Sequence, residues 1–122
     1  MKIRIKGNSI RLRVTQTEVL DFAKLGVLQE TTELPGASLV YRLQRSKSLQ
    51  YMKADFSANT LTVYIPESMA SLWVNNNEVG CAFNMPLSNG RELALLVEKD
   101  FVCLDSSAED QSDNFPNPNT VC

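Results

Sequence analysis

Five cations open this chain in a pattern that could do chemistry. Lys2, Arg4 and Lys6 alternate with Ile3 and Ile5, and after Gly7-Asn8 the alternation resumes as Ile10, Arg11, Leu12, Arg13 and Val14. A two-residue loop at Gly7-Asn8 joins the two runs into one hairpin, with Ile5 opposite Ile10, Ile3 opposite Leu12, Arg4 opposite Arg11 and Lys2 opposite Arg13. One face is then apolar and the other entirely basic. Like charges directly across a strand pair cost roughly 0.2–1 kcal/mol each, so something should answer that face. The chemistry open to Lys2, Arg4, Lys6, Arg11 and Arg13 is anion binding: a small phosphate-bearing ligand, a nucleic acid backbone, or the chain's own carboxylates.

The charge is unevenly shared. Residues 1–51 carry nine basic and four acidic side chains, whereas the remainder carries three basic and ten acidic, for a net charge of −2 overall. Asp105, Glu109, Asp110 and Asp113 could hold a hard cation, but their spacing matches no calcium loop and no glycine sits among them. An ordinary acidic segment is the simpler reading. The same segment, with Asp100, holds about what the basic face lacks, and Phe115 before Pro116 offers it an anchor.

The chain contains no His, which removes the usual general base and the usual transition-metal ligand. Its three cysteines, Cys81, Cys103 and Cys122, stand at no metal-ligand spacing and read as reduced thiols. No cofactor is expected. No apolar run approaches the roughly 20 residues of a membrane span, and the N-terminus lacks the apolar block of a signal peptide. These observations lead to the expectation of a cytoplasmic protein with no membrane partner.

The elements that position the cations come in two sets. Asn8 aligns with Asn59, Ser9 with Thr60, Ile10 with Leu61, Leu12 with Val63, Val14 with Ile65 and Phe22 with Trp73, a signal of internal duplication. In copy one, residues 1–45, Thr15-Gln16-Thr17-Glu18 forms a capping box ahead of a helix over Gln16–Leu25, with Gly26 as its stop. Strands follow over Val27–Leu34 and Leu39–Arg45, around a Pro35-Gly36 turn. In copy two, residues 49–97, strands are expected over Leu49–Phe56 and Leu61–Ile65, turning at Ala58-Asn59, and Pro66 takes the first helical position. Asn75-Asn76-Asn77 ends that helix, and Glu78–Met85 and Glu92–Val97 complete the set. Phe22 and Trp73 fall on the buried stripes of the two helices.

This is an α+β chain: a β-β-α-β-β unit used twice. Short connections favour antiparallel neighbours, so the expectation is one small pseudo-two-fold antiparallel barrel of about eight strands with two helices, followed by an acidic extension over 100–122. Forty-odd residues per copy leave too small a core for each to stand alone, which points to one domain over 1–122.

The opening Met1–Arg11, the run Val97–Leu104 and the run Glu109–Pro118 resemble a family of small bacterial proteins of unknown function, over nearly the whole chain. That resemblance implies no activity. Copy two, through Leu61–Ala70 and Val79-Gly80, is similar to AbrB-type swapped-hairpin DNA-binding domains, which pair two such units into one barrel. The Leu-Gly that closes their helix and the Gly-Asp that enters their next strand are missing here, and copy two has few basic residues. The reading that results is a non-enzymatic binding or regulatory domain whose basic hairpin engages its own acidic tail or an anionic partner. The alternatives are an enzyme acting on a phosphorylated small molecule, with carboxylates from Asp100 to Asp113 supplying a metal or general base, and an AbrB-like DNA-binding pseudo-dimer.

Overall fold

A computed structural model describes residues 1–101 and 113–116. Each half runs strand, strand, helix, strand, strand: β1 (Lys2–Ile5), β2 (Ser9–Val14), α1 (Gln16–Leu25), β3 (Val27–Leu34), β4 (Ala37–Ser46), then β5 (Lys53–Ser57), β6 (Thr60–Pro66), α2 (Glu67–Asn75), β7 (Gly80–Pro86) and β8 (Glu92–Lys99). Turn chemistry fixes the first hairpin of each half. Gly7 takes φ +55° and Lys6 N donates to Ser9 O at 3.2 Å, while in the second half Ala58 and Asn59 sit at φ +50° and +59°, the two left-handed residues of a tight hairpin. Registers follow as the alternation requires: Arg4 faces Arg11 and Ile5 faces Ile10, and Asp55 faces Thr62 and Phe56 faces Leu61.

The strands do not hydrogen-bond into one closed antiparallel barrel. They form two four-stranded sheets, β1-β2-β8-β7 and β3-β4-β6-β5. Short connections do make antiparallel hairpins, but that rule governs only the partner across each turn. The other neighbour of each inner strand comes from the opposite half, and it runs parallel: β2 with β8, β4 with β6. Each sheet is thus a hairpin of one half zipped to a hairpin of the other. Pairing is equivalent under exchange of halves, since Ser9 meets Ala94 where Thr60 meets Val40, and Val14 meets Lys99 where Ile65 meets Arg45.

A single apolar cluster draws on both sheets and both helices, with Leu12, Val14, Leu95 and Val97 from one sheet, Leu43, Val63 and Ile65 from the other, and Phe22 and Trp73 between. Phe22 and Trp73 meet edge to face, 6.1 Å between centroids at 70°. Burying side chains of this size stabilises by roughly 1.5–3 kcal/mol apiece, which is why neither half can be separated from the other cheaply.

The helices differ at their starts. At α1 the capping box forms, with Thr15 Oγ1 accepting from Glu18 N and Glu18 Oε1 accepting from Thr15 N at 2.9 Å. At α2, Pro66 is the last residue of β6 and the N-cap itself, with ψ 142°, so the helix begins at Glu67 and no side chain caps it. Their ends differ in backbone, left-handed at Gly26 and extended at Asn76, but share one device. Arg45 Nη1 donates to Ala23 O at 3.3 Å and Lys99 Nζ donates to Asn76 O at 2.9 Å, so equivalent strand positions bring a cation to the carbonyl end of each helix. Gly26 holds φ +74°, and a Cβ there would come 3.2 Å from Arg45 Nη2.

The second half starts its first strand later than the alternation suggests, at Lys53 instead of Leu49. Met52 turns into the core at 1% exposure, and Tyr51 stacks on Phe83 with centroids 5.3 Å apart, which bends the chain out of any sheet.

Candidate anion-binding site

On the outer face of the first sheet, strand register arranges the side chains in rows. Lys2, Arg13, Glu98 and Gly80 form one row, and Arg4, Arg11, Leu96 and Ala82 form the next. Ser9, Ala94 and Asn84 form a third at the hairpin end, where Lys6 enters the turn. All five sequence-nominated cations belong to this hairpin, but the structure treats them differently.

Neutralisation is graded along the strands. Arg13 Nε donates to Glu98 Oε1 at 2.7 Å, and Arg11 Nε reaches the same oxygen only at 3.6 Å, beyond hydrogen-bond length. Lys2 Nζ lies 3.1 Å from Asp100 Oδ2, on a carboxylate that is itself buried. Gly80 lets β7 lie close beside Glu98, because a Cβ there would come 2.5 Å from Val97 O and 3.0 Å from the Glu98 Cβ. At the other end no carboxylate among the described residues pairs with Arg4 or Lys6. Where the Glu98 alternation would place further acids, β8 carries Leu96 and Ala94 instead.

The unanswered end is also concave. Arg4, Lys6, Ser9, Ile10, Arg11, Ala94 and Leu96 line a depression of about 330 Å³. Arg11 Nε is buried without a hydrogen-bond acceptor, an orphaned donor beside it. Ser9 Oγ already donates to Lys6 O at 2.6 Å, so it braces the turn and has only its lone pairs to offer. Asn8 ties the turn to β8 by donating from Nδ2 to Glu92 O at 2.6 Å, and Ala94 N donates to Asn8 O at 3.1 Å. The depression therefore has a braced turn at one end and a cationic wall on the hairpin side.

The sequence offers the acidic tail or an anionic partner as the answer to the basic face, and of the tail's carboxylates only Asp100 meets that face among the described residues. Asp113 goes elsewhere. Its backbone oxygen accepts from Gln16 N at 2.9 Å and its Oδ1 accepts from Thr17 N at 3.2 Å and Thr17 Oγ1 at 2.9 Å, at the start of α1. The Thr15 hydroxyl, and then Thr17, hold its carboxyl below the usual carboxylate range. Asp105, Glu109 and Asp110, the other nominated metal ligands, lie outside the described residues, as do Cys103 and Cys122. Phe115 is the anchor the sequence suggested: its N donates to Asp100 O at 2.8 Å, its ring meets Phe101 at 5.7 Å, and Lys99 Nζ stands 5.1 Å from its centroid.

Glu98 was missed as the principal neutralising group, because nothing local in the sequence announces that β8 lies beside β2. Lys99, on the core-facing side of the same strand, was missed for the same reason. Burial depresses its ammonium, against the pull of Cys81 and Glu78. Cys81 is pushed up to about 11, by burial first and Glu78 second, so its thiol stays protonated and unreactive at neutral pH.

Neither helix is long and apolar enough to cross a membrane. No curated protein and no solved structure matches the chain. The expected kinship is met by a family model that covers residues 1–119, and the chain belongs to that family, DUF7009, a family of unknown function.

Proposed function

We propose that the protein is a non-enzymatic binding domain of the bacterial cytoplasm that holds a phosphate-bearing anion between Arg4, Lys6 and Arg11. One observation carries the reading: the depression at the turn end of the hairpin coincides with Arg4 and Lys6, which no described carboxylate neutralises, and with Arg11, whose buried Nε has no hydrogen-bond acceptor and meets Glu98 only at 3.6 Å. Two guanidinium groups on directly opposed residues repel each other, and an anion between them would relieve that repulsion. The enzymatic alternative needs free carboxylates between Asp100 and Asp113. Asp100 faces Lys2 and Asp113 is spent on α1, so both described ends of that stretch are committed to structure. Duplex DNA binding has weaker support, because the cations occupy one edge of one sheet and the matching face of the other sheet is nearly neutral.

The exchange symmetry of the pairing supports reading residues 1–45 and 49–97 as copies of one ancestral unit, with 100–122 an extension of a single domain. Only the first copy carries the cations.

The test is an amide NMR titration with pyrophosphate at low ionic strength. Salt-sensitive shifts should centre on Arg4, Lys6, Arg11, Ala94 and Leu96, and should vanish in the double variant Arg4→Glu, Lys6→Glu. Absence of shifts in the wild type overturns the proposal.

A further inference from the structure

The depression is cationic on one side only. Its other side is the strip of β8 that faces outward, Ala94 and Leu96, flanked on β7 by Ala82 and Asn84. Strands in a sheet lie about 4.8 Å apart, so the backbone of Arg4 is roughly 10 Å from that of Leu96, with Arg11 between them. A bare phosphate fills only the first part of that span. The volume, about 330 Å³, stands at the lower end of the roughly 300–1,000 Å³ of small-molecule sites, enough for a compact ligand and too little for a large one.

The side chains sort the ligand's two ends. Arg4 and Lys6 lack a carboxylate partner among the described residues and take the charged end. Arg11, with its side chain 26% exposed and its Nε buried, is held down beside Leu96. Guanidinium groups in such settings stack on flat π systems while still donating to an anion at their edge. Leu96 and the small Ala94 and Ala82 leave a low, apolar floor on the outer side of β8 and β7, and Asn84, exposed beyond it, offers both a donor and an acceptor. A charged head, a planar body and a polar far edge follow one another across the rows.

We infer that the ligand is a nucleoside monophosphate or a phosphomonoester of similar size, its phosphate between Arg4 and Lys6 and its planar body on Arg11, Ala94 and Leu96. This rests on the anion-binding reading above and specifies its ligand. The ring would cover Leu96, and the pairing of phosphate with the hairpin would make affinity fall with salt while ring contact would not.

The experiment compares adenosine 5′-monophosphate, ribose 5-phosphate and inorganic phosphate by amide NMR titration of the full chain, wild type and Leu96→Ser. The expected result is a nucleotide about tenfold tighter than either smaller probe, with that margin lost in Leu96→Ser while its response to inorganic phosphate remains. The retained phosphate response also shows that the variant is folded. Equal affinity for all three probes overturns the ligand assignment and leaves the anion site standing. Binding by a single-stranded oligonucleotide far tighter than by the mononucleotide also overturns it, in favour of a nucleic acid surface. Failure of every probe overturns both proposals.

Discussion

The two sheets are made in the same way and face the solvent differently. Inside, the equivalent residues are interchangeable in kind: Leu12 and Val14 in the first sheet correspond to Val63 and Ile65 in the second, and all are buried. Outside, the row that reads Arg4, Arg11, Leu96, Ala82 in the first reads Asp55, Thr62, Arg42, Gln29 in the second, where Arg42 donates to Gln29 Oε1 at 2.9 and 2.6 Å. The second face pairs its arginine with a neutral amide and carries charges of both signs, Lys53 and Asp55, whereas the first is left with positive charge. Packing constrains the inner positions through volume and leaves the outer ones free to diverge, so the difference between the faces is where a specific role can be sought.

The strongest way to break the comparison is to attack the shared interior. Phe22→Ala and Trp73→Ala should each lower stability by about 3–5 kcal/mol in urea unfolding, by similar amounts and with one cooperative transition. A much smaller loss at one site, or two separate transitions, would mean that the halves do not depend on a common core. Next in size is the outer-face exchange. Arg4→Glu with Lys6→Glu should weaken pyrophosphate binding at least tenfold, about 1.4 kcal/mol, whereas Arg42→Glu with Lys53→Glu on the second sheet should leave it unchanged. Glu98→Gln frees Arg13 and Arg11 and should tighten the same binding by a few fold.

The helix ends sharpen the likeness. Arg45→Met and Lys99→Met should each cost about 1 kcal/mol, since each removes a cation from a helix carbonyl end, and unequal losses would separate the two caps. The smallest effect concerns acid. Asp113 has a folded pKa below its unfolded one, so its contribution is present above the unfolded value near pH 4 and is lost as pH falls through the folded value. Asp113→Asn should therefore flatten the decline of stability below about pH 4, measured by urea midpoints across pH, and an unchanged decline would show that the contact with α1 contributes nothing.

What could be read from the sequence was whatever short-range chemistry determines. The turn at Gly7-Asn8 fixes which cations oppose each other, Thr15 and Glu18 fix where α1 starts, and the repeat fixes the element order. The parallel partnership of β2 with β8 has no such local signature. A side chain's row mate across that seam is set by a strand some eighty residues later, which is why Glu98, Leu96 and Ala94 were invisible as parts of the site. Pro66 misled for a different reason. Its fixed φ of −56° suits a first helical turn and the end of an extended strand equally well, and ψ, which it does not fix, decided for the strand.

The zipping of each half into the other has a consequence for how the molecule could be taken apart. A cut at Lys47-Ser48, in the bend between β4 and β5, severs no strand and leaves every hydrogen-bonded pairing intact. The two fragments would be held together by the β2–β8 and β4–β6 pairings and the common core, each lacking two sheet neighbours without the other. Supplied as separate polypeptides they should be insoluble or unstructured alone and should reconstitute the whole when mixed.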